Sequence, residues 1–331
     1  MTSGLTVRSV FTAGEHVEIV CALPWVERLV ASTLGPSEGA TTAGTGDPTV
    51  SIVVEDARSH IDTRGWTALG RDAWHRDGQV VVRDVATSGF DLWASVTEAG
   101  PRFVYRWRPP PRTRAASMLL RTRARLLLRA TLLQYPSLWW ASTRGRGPLH
   151  APAVGLAWGV ALLAGPSGVG KSTLVSREIQ SGHSAVSDNL SVSDGTSVWG
   201  VVEPVRTEGG SGPRAPHGRR EMPLTNRVPE MFPDRVVVLR RGPEVLVREC
   251  PAQVAERTLT AATYAAGELR RFWTFAAMLA LGTGIGPAHP PVAAVAGVLT
   301  SRLSCTEIVL PSLDGVRLSD LLTSRPATTW T

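Results

Sequence analysis

The sequence predicts an α/β protein made of two domains. In residues 1–112, short apolar runs rich in β-branched residues recur between glycine, aspartate and proline signals, which is typical of strands. After the proline-rich segment PPPRT, longer helical patterns alternate with apolar strand patterns. We therefore predict a smaller mixed α/β domain in residues 1–112 and a larger α/β domain in residues 113–331, with no role assigned to the smaller one.

Six runs in the smaller domain are predicted to be strands, and LPWVERLVAS is predicted to be a short helix between them. The six runs are LTVRSVF, VEIVCAL, TVSIVVE, QVVVRDV, FDLWASV and RFVYRW. The larger domain is expected to begin with one long helix over AASMLLRTRARLLLRATLLQY. Two strands that reverse at Gly155 follow, and another strand, SAVSDN, is expected to end at Asp188.

The remainder of the larger domain is predicted to be a mobile loop followed by α/β elements. Residues 207–220 are rich in glycine, proline and arginine and are expected to form the loop. A strand at RVVVLRRG, helices over 252–282 and 291–303, and a strand at CTEIVLP complete the pattern.

Composition excludes several classes of protein. A hydrophobic fraction of 43% with 19% charged residues is typical of a soluble globular chain. The net charge is +7, but the arginines are scattered, so no nucleic-acid partner is expected. The uncharged stretch 147–170 is interrupted by prolines and glycines. Its apolar core is shorter than the segment that a membrane-spanning helix requires. Three distant cysteines and a start without a secretory pattern favour a cytoplasmic location.

The chain contains one lysine, Lys171, and every other residue of the lysine and arginine total is arginine. It lies in GPSGVGKST, which satisfies the phosphate-loop pattern between an apolar strand and the helical STLVSREIQ. In this setting backbone amides wrap an anion, the lysine ammonium bridges the outer phosphates and the following serine hydroxyl ligates magnesium. The predicted nucleotide-binding residues are Gly165, Pro166, Ser167, Gly168, Val169, Gly170, Lys171, Ser172 and Thr173.

Two further polar residues flank this loop in sequence. Asp188 follows Lys171 by seventeen residues, where a carboxylate could hold the metal or accept a proton from an attacking hydroxyl. The alternative is that Asp188 and Asn189 begin a turn. His150 lies fifteen residues before Gly165 and, taken alone, is more typical of a structural or exposed histidine.

Together, LHAPAVGLAWGVALLAGPSGVGKST and SGHSAVSDN resemble the catalytic core of HPr kinase/phosphorylase and the wider group of HPr-kinase-like proteins. The resemblance covers about residues 148–206. It implies a core with the fold of phosphoenolpyruvate carboxykinases. It also implies that His150 contacts the transferred phosphate, that Lys171 and Ser172 hold nucleotide and magnesium, and that Asp188 is the base facing a substrate hydroxyl.

The chain departs from the family pattern at two places. The second acidic residue of the family is Asn189 here, and VVEPVRTEGG occupies the region of the glycine-rich, glutamate-containing signature. Glu203 and Arg206 are loosely comparable with that signature. The resemblance is therefore closer to the smaller proteins of bacterial peptide tailoring, which include serine kinases of lasso peptides.

By the same resemblance, a basic residue in the loop after Asp188 reaches phosphate. Arg219 and Arg220 are the candidates, together with Arg206, and the alternative is that Arg219 and Arg220 are a solvated charge pair.

We expect an ATP- and Mg2+-dependent kinase that phosphorylates a hydroxyl, most plausibly a serine of a peptide or protein. Asp188 would be the base, and Ser172 and Asp188 would be the metal ligands. The alternative, favoured by Asn189, is a nucleotide-binding or ATPase regulatory module that transfers no phosphate to a substrate. The acceptor, the nucleotide donor, the reverse reaction and the oligomeric state are left open by the sequence.

Overall fold

A computed structural model describes residues 5–34, 47–57, 59–207, 212–215 and 218–323. The fold is mixed α/β, so the predicted class is confirmed. It divides into two compact units, each formed from three stretches of chain. The first unit is Met1–Gly145, Glu208–Pro223 and Arg270–Pro290, and the second unit is Arg146–Thr207, Leu224–Leu269 and Pro291–Thr331. The domain limits 1–112 and 113–331 stay predictions.

The strands and helices are numbered in chain order. The strands are β1 (Thr6–Thr12), β2 (Glu15–Cys21), β3 (Val50–Asp56), β4 (Thr67–Gly70), β5 (Ala73–Arg76), β6 (Gln79–Val82), β7 (Phe90–Thr97), β8 (Gly100–Trp107), β9 (Gly147–Leu149), β10 (Ala153–Leu156), β11 (Gly159–Ala164), β12 (Ser191–Ser193), β13 (Val198–Gly200), β14 (Val205–Thr207), β15 (Arg220–Met222), β16 (Glu230–Met231), β17 (Arg235–Arg241), β18 (Leu246–Glu249) and β19 (Ser304–Leu310). The α-helices are α1 (Pro24–Leu34), α2 (Pro111–Leu119), α3 (Arg121–Arg129), α4 (Tyr135–Thr143), α5 (Lys171–Gln180), α6 (Ala252–Ala265), α7 (Phe272–Thr283), α8 (Val292–Arg302) and α9 (Leu318–Thr323).

The first unit is built on an eight-stranded mixed sheet in the order β1-β2-β3-β8-β7-β6-β5-β4. Six of these strands coincide with the six predicted runs. The short strands β4 and β5 were not predicted, because most of their residues are exposed or half-buried and lack a continuous apolar run. Helix α7 packs on β4 to β7 and α4 on β2 and β3, and their aromatic side chains meet the sheet at Phe103.

The predicted single helix after PPPRT is wrong, because the helical stretch is interrupted once and later changes its hydrogen-bond pattern. Leu120 has φ −113° and ψ 48°, which separates α2 from α3. A π-helical turn, Ala130–Gln134, then leads into α4. Pro136 near the start of α4 has no N–H to donate, which accounts for the change in hydrogen-bond pattern there.

The core of the second unit is the five-stranded sheet β10-β11-β17-β19-β18, in which β11, β17 and β19 are parallel. The side chains of successive residues in a strand point to opposite faces of the sheet. Leu162 and Val236 lie in the cluster formed with α6 and α8, whereas Leu163 and Val237 lie in the cluster formed with α5 and α9. The carboxyl ends of the parallel strands therefore meet at one edge, at the end where β11 leads into Gly165.

A second, antiparallel sheet has the order β16-β13-β12-β9 and positions two segments of the candidate site. Ser191 pairs with Leu149, so the chain entering β12 lies opposite the chain leaving β9. Since His150 follows β9 directly and Asn189 precedes β12 closely, this register brings the two segments together.

Two local expectations in this unit are wrong. The stretch ending at Asp188 is not a strand, because only Ala185 forms bridges, to Val154 and Arg227. The chain reverses after Leu156 rather than at Gly155, and Gly159, with φ +144°, permits the turn.

Among the described residues, none of the helices combines the length and the apolar character that crossing a membrane requires.

We expect Gly200→Ala to destabilise the second unit strongly, by roughly 2–4 kcal/mol, since the new Cβ would overlap the Val186 carbonyl oxygen. Gly297→Ala is the matched control, because Gly297 lies within α8 and a Cβ there would make only ordinary van der Waals contact, 3.8 Å from the Glu256 carboxyl group. It should raise the free energy of unfolding by about 0.5–1 kcal/mol. Chemical denaturation of both variants measures this, and equal stabilities would show that the close approach at Gly200 is not retained in solution.

Candidate functional site

The glycine-rich loop between β11 and α5 depends on glycine at specific positions. Gly165, Gly168 and Gly170 have φ values of +151°, +81° and +116°. A Cβ on Gly165 would lie 2.9 Å from the backbone oxygen of Leu239. Gly170 caps α5 without a side chain, so no capping side chain competes for the first-turn N–H groups that can bind an anion.

Lys171 is the first residue of α5, and its side chain folds back over the loop. Its exposed fraction is 5%, and Nζ donates to the carbonyl oxygens of Gly165, at 2.6 Å, and Pro166, at 3.2 Å. Burial lowers the pKa of Lys171 to about 8, although Glu268 acts in the opposite direction. The only lysine of the chain is therefore a buried cation held by the loop that precedes it.

The two predicted metal ligands, Ser172 and Asp188, are neighbours. The Ser172 hydroxyl donates to the backbone oxygen of Asp188 at 3.1 Å. The Asp188 carboxyl group is 3% exposed, and its Oδ1 has no hydrogen-bond partner among the described residues. Burial raises the pKa of Asp188 to about 6, against the opposing effects of Arg206 and Ser172. An unpartnered buried carboxylate oxygen costs free energy, which a ligand at this position would offset.

Next to Asp188 lies a cluster of charges that sequence reasoning identified only in part. Arg206 pairs with Glu268, with Nη1 to Oε1 at 3.0 Å, and with Glu203, with Nη2 to Oε2 at 3.5 Å. The other oxygen of Glu203 accepts the backbone N–H of Leu190 at 3.1 Å. Glu203 and Arg206 are three residues apart in sequence, a spacing that could have indicated an ion pair, whereas no pattern singles out Glu268.

The charge states in this cluster follow from burial and from Arg206. Burial, with the nearby Asp188 carboxylate, raises the pKa of Glu203 to about 8. Burial also acts to raise the pKa of Glu268, but Arg206 and hydrogen bonding outweigh it and the pKa is lowered. Burial opposes the charge on Arg206, and the three carboxyl groups outweigh that effect and raise its pKa. At neutral pH the cluster therefore holds a charged Arg206, an ionised Glu268 and a protonated Glu203.

His150 is buried beside the same groups. Its backbone N–H donates to the Thr263 hydroxyl at 3.0 Å, and its Nδ1 lies 3.2 Å from the Ala262 carbonyl oxygen, to which it donates. Burial and then the Lys171 charge lower the pKa of His150, while Glu268 and a hydrogen bond with Asn189 act to raise it. A neutral imidazole with Nδ1 protonated leaves Nε2 as an acceptor.

Magnesium fits this arrangement only with help from a bound nucleotide. Within the described ranges, no group of three or more His, Cys, Asp or Glu side chains is arranged to hold a metal ion. Asp188 Oδ1 and the Ser172 hydroxyl remain as oxygen donors. Magnesium commonly takes one or two carboxylates plus substrate phosphates and waters, so this donor set is compatible with it.

The remaining predicted phosphate contacts, Arg219 and Arg220, belong to the first unit, whereas all the residues above belong to the second. Arg220 Nη1 donates to the Gly212 carbonyl oxygen at 2.9 Å, and the Arg219 carbonyl oxygen accepts from Ala215. In the predicted mobile loop 207–220, residues 208–211 and 216–217 lie outside the described part of the chain. The roles of these arginines and the mobility of the loop stay predictions.

Comparison with models of known protein families finds no match, and comparison with curated protein sequences finds none either.

The raised pKa of Glu203 makes stability depend on pH. Between the ordinary value of 4.5 and the folded value of about 8, the folded protein holds a proton that the unfolded chain has released. This contribution is complete below pH 4.5 and is lost as the pH rises toward 8. In Glu203→Gln the contribution is absent, so from pH 6 to 8 the variant should gain up to about 1.4 kcal/mol per pH unit relative to the wild type.

Urea unfolding of both proteins at several pH values measures this difference. Glu244→Gln is the control, because it removes an exposed carboxyl group from the same unit. Parallel pH profiles for Glu203→Gln and the wild type would show that Glu203 ionises normally.

Proposed function

We propose that this protein is an ATP- and Mg2+-dependent phosphotransferase that phosphorylates a hydroxyl group, namely that of a serine in a peptide or protein. The observation that carries the proposal is Lys171, the only lysine of the chain, buried at the start of α5 against its own glycine-rich loop. A compact ammonium fits such a ring of backbone groups, whereas the planar guanidinium of arginine does not.

The glycine-rich loop would bind the phosphates of the nucleotide. The first-turn N–H groups of α5 and the partial positive charge of its N-terminus favour an anion. The ammonium of Lys171 now satisfies two carbonyl oxygens, and it would exchange them for phosphate oxygens. Binding of an anion would also favour the charged form of this lysine, whose pKa burial lowers to about 8.

Ser172 and Asp188 would hold magnesium together with the nucleotide. Bound there, the ion would neutralise negative charge on the phosphate oxygens. The support from this structure is the Asp188 oxygen without a hydrogen-bond partner and the adjacent hydroxyl.

Asp188 is also the best-suited base for activating a hydroxyl. With a pKa of about 6, it is mainly ionised at neutral pH and is more basic than an ordinary aspartate. It would accept the proton of the serine hydroxyl while the serine oxygen bonds to the terminal phosphorus and ADP leaves. His150, held in one orientation by its hydrogen bond to Ala262, would contact the transferred phosphate, as the resemblance implies.

The resemblance of residues 148–206 to HPr-kinase-like proteins supports the same proposal. It adds the expectation of a phosphoenolpyruvate-carboxykinase-like core and of a peptide-tailoring role. The proposal includes a cytoplasmic location, and it includes no nucleic-acid or membrane partner.

A second candidate is a nucleotide-binding regulatory module without phosphoryl transfer to a substrate. The observation that favours it is the pairing of Arg206 with Glu203 and Glu268, which leaves this arginine less available to phosphate. Asn189 in place of a second acid favours it as well.

The single lysine allows nucleotide binding to be tested without knowing the acceptor. An amine-reactive ester at pH 8 should modify only Lys171 and the α-amino group, which mass spectrometry resolves. MgATP should protect Lys171 and leave the α-amino group equally labelled, because only the former would be covered by phosphate. Equal labelling of Lys171 with and without MgATP would contradict the assignment of the loop.

Substitution of Lys171 should then separate its role from that of an ordinary cation. We expect both Lys171→Ala and Lys171→Arg to lose MgATP-dependent thermal stabilisation and phosphoryl transfer, since neither side chain places an ammonium in the loop. Arg257→Ala, which removes an exposed cation of α6 in the same unit, should change neither. Wild-type stabilisation of Lys171→Ala by MgATP would refute the role of the lysine.

Asp188→Asn tests the chemical step. The variant should bind MgATP within a few fold of the wild type and lose roughly 10²- to 10⁴-fold in the rate of phosphate transfer. The rate is measured with radiolabelled ATP and a library of serine-containing peptides. Asp194→Asn is the control, because Asp194 is exposed in the turn between β12 and β13. ATP hydrolysis unaffected by any peptide, in the wild type and in Asp188→Asn alike, would favour the regulatory module.

A further inference from the structure

The first unit contains a pocket that takes no part in the proposed chemistry. Its volume is about 510 Å3, and it is formed by residues of α1, α2 and α3 with the end of β8. Trp25, Trp107, Leu29 and Leu128 supply its apolar surface. The rings of Trp25 and Trp107 pack edge to face, with centroids 4.8 Å apart, so the apolar surface is made of interlocked side chains.

Arginines surround this apolar surface. Arg28 and Arg121 are exposed, and neither forms an ion pair with another described residue. Arg125 also lines the pocket, but it is paired with Glu221. None of the described lining residues is Asp or Glu, and residues 99–177 contain no acidic residue at all. The pocket is therefore complementary to a ligand that is apolar at its centre and negatively charged around it.

The same chemistry continues along α2, beyond the pocket. Met118, Leu119 and Leu120 are exposed by 63%, 83% and 51%, which is unusual for three consecutive large apolar side chains. A second concavity along α2, of about 360 Å3, is lined by Arg114 and Met118 among others. Because α2 contributes to both concavities, the surface suits an extended ligand better than a compact one.

We propose that this surface, formed by α1, α2 and α3, binds an acidic amphipathic peptide segment. An apolar side chain of the peptide would enter the pocket against Trp25 and Trp107, and neighbouring carboxylates would pair with Arg28, Arg121 and Arg114. A flat lipid surface would contact the exposed Met118, Leu119 and Leu120 but would leave the apolar side chains inside the concavity unfilled. A single-stranded nucleic acid needs open aromatic faces for stacking, whereas Trp25 is packed against Trp107 and Phe90.

This inference uses residues of the first unit only and does not depend on the proposed phosphotransferase. Direct binding therefore tests it whether or not phosphate transfer is detected.

The probe is a short fluorescein-labelled peptide in which leucine and phenylalanine alternate with glutamate, and the readout is fluorescence anisotropy with the full chain. We expect saturable binding that weakens as salt is raised. A peptide with lysine in place of glutamate should bind at least about tenfold more weakly, and so should one with serine in place of leucine and phenylalanine. Equal binding of all three peptides, or no binding, would overturn the proposal.

Variants locate the site. The double variant Arg28→Glu and Arg121→Glu should weaken binding of the acidic peptide about tenfold. Both side chains are exposed, and glutamate at the start of α3 suits the helix dipole, so folding should be kept. Arg102→Glu is the control, because Arg102 is exposed on β8 outside the pocket.

Met118→Ser with Leu119→Ser tests the apolar contribution in the same way, and circular dichroism verifies the fold of every variant. Binding unchanged by both double variants would overturn the site. Tighter binding of phosphatidylserine vesicles or of oligouridylate, abolished by the arginine variants, would assign the surface to a membrane or to nucleic acid and refute the peptide.

Discussion

The arrangement of the candidate site depends on one half-buried guanidinium, that of Arg206. It pairs with Glu203 and Glu268, which lie in different segments of the second unit, and it attracts Asp188 at longer range. Removal of a charge from water costs several kcal/mol, and the positive charge of Arg206 offsets part of that cost for the ionised carboxylates of Glu268 and Asp188. Because Glu203 contacts Arg206 and also accepts the N–H of Leu190, it holds the chain directly beyond Asp188 and Asn189.

Backbone geometry supplies the other half of the arrangement. The parallel strand β11 delivers the glycine-rich loop to the edge of the main sheet, and the pairing of Ser191 with Leu149 sets the segment containing Asp188 beside His150. The hydroxyl of Ser172 donates a hydrogen bond to the backbone oxygen of Asp188, which connects the start of α5 with the segment that precedes β12. The candidate site is therefore divided between the glycine-rich loop before α5 and the segment that carries Asp188.

Local patterns in the sequence predicted much of this, and long-range pairing accounts for what they missed. The loop and α5 were predictable because glycine spacing and helix onset are local properties, and the structure places Lys171 at the first helical position. The stretch before Asp188 has the composition of a strand, but its neighbours offer only the bridges at Ala185.

Glu268 lies in a turn after α6 with no local signature, and only the fold brings it to Arg206. Leu120 interrupts a helix that its composition favours.

The place of α7 in the chain has a consequence for biosynthesis. This helix covers strands β4 to β7 of the first unit, yet it is encoded after most of the second unit. A ribosome that adds roughly 5–20 residues per second needs on the order of ten seconds to pass from residue 145 to residue 283. During that interval Phe103 and its neighbours lack the side chain of Phe275, so the nascent sheet carries an uncovered apolar face. The emerging polypeptide then exposes the kind of apolar surface that chaperones recognise, and the first unit can be completed only after most of the second unit has been synthesised.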